Sequence, residues 1–522
     1  MENRILFYNG KIYTENGLDD NKTAIQIKGN IIEKIGTDNE LKKLINNNIK
    51  TIDLHGKVVF PGFIDTHFHF TEWAKREEMV NLDNFDSLHN VLVHLQENIP
   101  EGEWYLGGGW NHNDWKENRL PNMKDLSFIK DKKIILFSKD FHSAWINDAV
   151  LDIFDTKDLL HFIQEKMIKT DKLKRITGII QEEAVEKLIH PIFEKIESPI
   201  FSNPKPFYNK LYKAGLTSIH TIERFDDYQK LKNLYQIVYN RGPRLGFLVY
   251  EKDREKIFQK NIKTGNGGNW FRYLGLKIIL DGALGSQSAW MREPYENKVS
   301  EIGIKFYEDD GLEVIIKEAE LNENSIAIHA IGDRALEQLL NMFEKYNLSQ
   351  KSQYRIEHAQ LIPPDLFERI CDMKPRISMN PAHIFADIKI ANQHWGSRSK
   401  YAYRFKSLLN ENILFSFGAD APVEKINPWR GIRGAIQRED KDGNVWYQEE
   451  KISLTEAINI FTINGAKMSN EDDVKGKLTE GYLADLFVAS KNPFEVNLNE
   501  IEKIESLLTM IDGNIVYNKL DI

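Results

Sequence analysis

The chain has 522 residues, 41% hydrophobic and 28% charged, a soluble globular composition with room for one catalytic domain and a smaller one. A formal net charge of -9 argues against a nucleic-acid partner, which needs a basic face. The single cysteine, Cys371, excludes an intrachain disulfide and any cysteine-based zinc cluster, fits a reducing cytoplasm, and has no neighbour that would activate it.

The first residues carry no long apolar signal-peptide core, and no apolar run reaches membrane-spanning length, so a soluble cytoplasmic protein is expected. Residues 1–57 read as short strands. Ile5–Tyr8 and Lys11–Thr14 flank the turn Asn9-Gly10, and Ala24–Ile27 and Ile31–Ile35 flank Gly29-Asn30; both turns are hairpin signals. The far end, 466–522, repeats this character in Ala484–Ala489 and Leu507–Tyr517. The simplest economy is one small β-sandwich-like domain built from both chain ends.

From 58 to 465 short apolar strands alternate with longer amphipathic segments, which argues for a parallel sheet with crossover helices closing into a (β/α)8 TIM barrel. This stretch exceeds the roughly 250 residues of a plain barrel. An insertion is therefore expected at about 71–205, where the aromatic phrase Gly107 to Trp115 also lies. Strand candidates begin with Val58–Phe60, a bend at Pro61-Gly62, and Phe63-Ile64-Asp65. They continue at Leu216–His220, Arg244–Val249, Leu274–Gly282, Ser325–His329, Tyr354–His358, Arg376–Asn380 and Ile413–Asp420.

Chemistry gathers at the ends of those strands. Side chains alternate along a strand, so His67 and His69 leave on one side, and two imidazoles so placed can grip one divalent metal. His329, His358 and Asp420 each end an apolar strand. A lone histidine or aspartate is more often a satisfied polar or cap residue, but strand C-termini line the active site of such a barrel. Four histidines and one aspartate arriving there in sequence make a mononuclear or binuclear metal site.

The order His67-x-His69, Lys277, His329, His358, Asp420 resembles the amidohydrolase superfamily. The phrases Asp281 to Ser286, His329 to Ala335, Arg355 to Gln360, Gly418 to Val423 and Gly476 to Leu486 are similar to its N-substituted formamide deformylase-like branch. The resemblance implies a divalent metal, usually zinc, as one or two ions. His67 and His69 would be first-strand ligands, His329 and His358 would serve the second metal, and Lys277, carboxylated by CO2, would bridge. The alternative is Lys277 as a barrel-lining cation paired with Asp281, with Glu182 or Glu183 supplying the bridge. Asp420 would act as general base and then acid. His142 and His383 resemble residues that face the substrate in the same branch, Asp281 is a further substrate-side candidate, and Trp110, with Trp115 and Trp290, is a candidate pocket wall, although aromatic residues are more often core. His220 also ends a strand but matches no metal position.

The expected activity is metal-dependent hydrolysis of a C–N bond in a small non-peptide amide or N-substituted formamide. The alternatives are a deaminase or lactonase on the same fold, or a scaffold that has lost catalysis. A homodimer is a common state for such enzymes.

Overall fold

Phe63–Phe68 is the first of eight parallel strands that follow one another around a single sheet. In the computed structural model the described residues are 4–45, 49–117, 119–139, 142–237, 242–296, 298, 300–346, 348, 354–440 and 443–520. We number these strands β1 (Phe63–Phe68), β2 (Leu216–Glu223), β3 (Arg244–Tyr250), β4 (Phe271–Ile279), β5 (Ile326–Ala330), β6 (Arg355–His358), β7 (Arg376–Met379) and β8 (Phe415–Phe417). Every neighbouring pair is parallel. Nearly all their residues are buried, as expected when both faces of a parallel sheet are covered.

The ring comes close to closing just beyond the ends of β1 and β8. Phe68 forms a parallel bridge with Ala421, the Asp420 N–H donates to the His67 carbonyl (2.8 Å), and the His69 N–H donates to the Ala421 carbonyl (2.9 Å). The fully buried Asp65 adds a clamp, accepting from the His67 N–H on one oxygen and the Ala419 N–H on the other, each at 3.0 Å.

Helices cover the strands wherever apolar residues recur at helical spacing. Asp333–Tyr346, after β5, buries Ala335, Leu336, Leu339, Leu340 and Phe343. Pro364–Met373, after β6, has proline in its first turn and stops at Lys374 in the left-handed conformation.

Two chain segments, Met1–Phe70 and Asn203–Ile522, form one compact unit, and Thr71–Ser202 forms another. Two further sheets lie in the first unit. One orders Ile31–Gly36, Ala24–Lys28, Arg4–Tyr8 and Ile49–Asp53. The other mixes both chain ends, in the order Asn514–Asn518, Ser506–Ile511, Leu486–Ala489, Val58–Pro61, Lys11–Thr14 and Gly17–Asp19.

Gly29-Asn30 does join an antiparallel hairpin. The Asn9-Gly10 turn does not, because the strands on its two sides belong to different sheets. There the left-handed Asn9 carries the chain from one sheet to the other. Among the described residues no helix is long and apolar enough to cross a membrane.

The second unit has its own six-stranded sheet, from Val80–Asn81 through Trp104–Trp110, Lys133–Ser138, Ser143–Ile146 and Ile176–Gln181 to Ile168–Thr170. Its two ends are tied together by the Ser198 hydroxyl, which donates to the Thr71 carbonyl at 2.7 Å.

Candidate functional site

His67, near the end of β1, is buried, and His69 follows the strand, half-buried. His67 Nε2 lies 3.4 Å and His69 Nε2 3.3 Å from Asp420 Oδ1. Two donors held about 2.1 Å from one tetrahedral ion stand roughly 3.4 Å apart. These three groups are therefore spaced as ligands of one cation, and all their donor atoms fall within 4.8 Å of one another.

His358 brings β6 to the same place, its ring centroid 4.7 Å from that of His67 and 4.5 Å from that of His329 on β5. Strand alternation alone would send Glu357 and His358 to opposite faces. Left-handed backbone at His358 (φ 69°) and Ala359 (φ 44°) turns the chain after Glu357, so both side chains meet the cluster. Asp420, at φ 57°, is aimed by the same kind of turn, which Asp and His tolerate better than most residues.

Each imaginable ligand nitrogen is selected by what its ring partner does. His67 Nδ1 contacts Glu357 Oε2, leaving Nε2 toward Asp420. His358 Nδ1 donates to Asn380 Oδ1 at 2.7 Å, leaving Nε2. His329 is reversed: Nε2 donates to the Gly282 carbonyl at 3.0 Å, leaving Nδ1. Metal-binding imidazoles in general donate their second N–H to such a carboxylate or carbonyl.

Burial, reinforced by Lys277, pushes His67 down to about 4, and burial with His329 and His67 nearby holds His358 well below the usual imidazole value. A lowered value favours the neutral ring that a ligand must be. Burial alone would raise the carboxyl of Asp420, but the imidazoles of His67, His69 and His358 outweigh it and hold Asp420 well below the ordinary carboxylate range.

Lys277 on β4 is buried, and its Nζ has no hydrogen-bond partner. Desolvation pushes it down to about 8, against the opposing charges of Glu357 and Asp420. The ion pair with Asp281 is not formed. The Asp281 carboxylate instead accepts the backbone N–H groups of Trp290 (2.9 Å), Ile331 (3.1 Å) and Gly332 (2.7 Å), so it holds the loops after β4 and β5. An orphaned buried amine beside imidazole nitrogens and carboxylate oxygen is a donor set that suits zinc or a similar divalent ion.

His383, just past β7, places Nε2 3.9 Å from Asp420 Oδ2, the oxygen that does not face His67 and His69. His220 does not end its strand: β2 runs on to Glu223, and the ring lies inside the barrel, where Nδ1 meets Arg355 Nη1 at 3.1 Å. Trp290 caps the loop after β4, with Lys305 Nζ 5.2 Å from its ring centre.

The remaining candidates lie in the second unit. Trp110 is buried there among Leu136, Trp145 and Trp115, and its indole N–H donates to the Leu136 carbonyl at 2.7 Å. Trp110 thus packs in the core of that unit, and Asp281 supports two loops. His142 is exposed and meets Glu182 at 3.1 Å, and Glu183 pairs with Lys187 at 2.6 Å. The phrase around His142 includes residues 140–141, which lie outside the described residues.

Sequence reading passed over Asp65, Asn380, Arg355 and Glu357. The last two carried a usable signal: in Tyr354-Arg355-Ile356-Glu357-His358, charge alternates with apolar residues within a barrel strand, so both charges face one side.

A profile described as "Amidohydrolase family" matches residues 50–517. The Bacillus subtilis (strain 168) protein YtcJ is 27% identical over 99% of this chain and 100% of its own. The N-substituted formamide deformylase of Arthrobacter pascens is 22% identical over 99% of this chain and 98% of its own. Among solved structures, an uncharacterized metal-dependent hydrolase from Pyrococcus furiosus superposes with a TM-score of 0.80 at 27% identity, covering 94% of this chain and all of that one.

Proposed function

The chain belongs to the amidohydrolase family, and on that premise we propose that it hydrolyses a C–N bond in a small non-peptide amide or N-substituted formamide. The observation that carries this reading is the convergence of His67, His69 and Asp420 at the spacing of ligands to one cation, with His329, His358 and Lys277 beside them. A bound divalent ion, zinc by preference, supplies electrophilic polarisation and an acidified water. His67 and His69 would hold such an ion through Nε2, and His358 and His329 would offer their remaining nitrogens.

Asp420 divides its work between two oxygens. Oδ1 faces the His67–His69 pair and Oδ2 faces His383. The carboxylate takes a proton from the attacking water and gives it to the departing nitrogen, which an amide requires because an amine anion is a very poor leaving group. His383 stands where it can contact the substrate beside Asp420.

Lys277 has the environment for carboxylation. At a value of about 8 a useful fraction is the free amine, which adds to CO2 and releases one proton to give a carbamate. A carbamate supplies two oxygens to a metal site, whereas an ammonium supplies none. A deaminase with one metal has no use for this group, so the burial of Lys277 beside Glu357 and Asp420 favours the amide hydrolase.

The formamide reading draws on the full-length likeness to the Arthrobacter pascens deformylase. The strands shared by the two chain ends fit the small β domain expected from both termini, with Val58–Pro61 pairing there and not in the barrel, and the enzyme is read as cytoplasmic. Metal analysis of the purified protein, then a screen of formamides, N-acyl amines and cyclic amides with zinc or manganese, tests the proposal. Turnover of none of the C–N substrates by metal-loaded protein would overturn it.

A further inference from the structure

Beneath the cluster lies a buried chain of charge that the mechanism above does not use. Glu357 is 0% exposed and Arg355 3%, and they form an ion pair inside the barrel through Oε1 and Nε. Glu357 Oε2 meets His67 Nδ1. Arg355 Nη2 donates to the Thr66 carbonyl at 3.0 Å, which belongs to the peptide leading into His67. Its Nη1 stands 3.1 Å from His220 Nδ1. One ion pair therefore holds both the ring of His67 and the backbone just before it.

Stability alone is a poor account of this arrangement. Burying two charges has a desolvation cost of several kcal/mol per ion, and well-packed apolar residues of similar size often do as well. The pair does something that apolar residues could not. A carboxylate at Nδ1 accepts a hydrogen bond from an N–H there and so keeps the proton on that nitrogen, which leaves Nε2, the one that looks toward Asp420, unprotonated. Without it the ring could turn or place its proton on Nε2, and the ligand position would be lost.

We propose that Glu357, held by Arg355, is a positioning residue that fixes the orientation and tautomer of His67 so that Nε2 is presented for metal binding. This rests on the metal-site reading given above. Groups of this kind typically contribute 10–100-fold in metal affinity when removed.

The test uses full-length protein stripped of metal, with Zn2+ affinity read by competition against a chromophoric chelator and site geometry read from the absorption spectrum after Co2+ loading. Glu357→Gln keeps the shape and loses the charge, and the expected result is Zn2+ binding weakened about 10–100-fold with an altered Co2+ spectrum. Arg355→Met combined with Glu357→Gln removes the unpaired guanidinium that could prevent the single variant from folding, and the same loss is expected.

A merely structural pair would move the unfolding curve and leave affinity and spectrum alone. Folded variants that bind Zn2+ within twofold of wild type, with an unchanged Co2+ spectrum, overturn the proposal. Independently of any variant at 355 or 357, 15N-histidine NMR of the metal-free wild-type protein, with the signal assigned through His67→Asn, is expected to show His67 protonated at Nδ1. Protonation at Nε2 overturns it. If the wild-type protein binds neither ion, the metal-site reading falls together with this one; if it binds both and the variants match it, only this one falls.

Discussion

The Asp420 N–H donates to the carbonyl of His67 at 2.8 Å, so the residue proposed as proton carrier is registered by main chain to the first of the proposed metal ligands. The approach behind this bond is close. A Cβ on Gly418 would lie 2.5 Å from the His67 backbone nitrogen and 2.9 Å from Asp65 Oδ1.

Gly418→Ala should therefore push β8 away from β1. Overpacking of this kind usually costs about 1–3 kcal/mol, and here it also displaces Asp420. The expected outcome is lower stability in denaturant together with reduced metal content. A variant with wild-type metal content and unfolding midpoint would show that the seam has room.

Asp420→Asn keeps the shape of the side chain but removes the proton acceptor. Loss of a general base typically lowers rate by about 10²–10⁴-fold. We expect kcat to fall by that order while most of the metal stays bound, and a chelator to abolish wild-type turnover. Near-normal kcat in the Asn variant would rule out Asp420 as the base.

Arg244 at the start of β3 makes a two-point pair with Asp485, at 2.6 and 2.9 Å, and reaches Asp512 at 3.1 Å. Both members of the main pair are buried. Asp485→Ala strands a buried guanidinium and should cost about 3–5 kcal/mol. Combining it with Arg244→Met should recover much of that. Equilibrium unfolding of the single and double variants reads the difference, and an unperturbed single variant would show that Asp512 alone suffices.

His220 is held well below the ordinary imidazole value, first by burial and then by Arg355 and Lys475. A depressed imidazole stays neutral in the folded chain while the unfolded chain takes up a proton below about 6.5. Unfolding then absorbs one more proton, and stability falls as pH drops. His220→Gln removes this group, so the variant should lose stability less steeply than wild type as the metal-free protein is taken below pH 6.5, by about 1.4 kcal/mol per pH unit. Equal slopes would mean that His220 is protonated in the folded state too. Asp65, raised to about 7 by burial, acts with the opposite sign in both proteins and drops out of the comparison.

The strand-end residues His67, His329, His358 and Asp420 were legible because strand periodicity and apolar runs are local. So was the alternation that placed eight strands near their observed limits. The choice of face at His358 and Asp420 was not local: it depends on left-handed backbone at φ 69° and 57°, which strand alternation does not foretell. Glu357 was hidden for that reason, since its neighbour His358 claimed the inward face. The hydrogen bonding of Asp281 was not local either, since the three N–H groups it satisfies come from loops 9 to 51 residues away. The Asn9-Gly10 dipeptide shows the same limit: the turn forms, but the sheets recruited by its two arms are settled by distant chain.

The tie between Ser198 and Thr71 means that the 132-residue segment beginning at Thr71 has its two ends close together. Ends so placed are the geometry in which a stretch of chain can lengthen or be exchanged without drawing apart the residues that flank it.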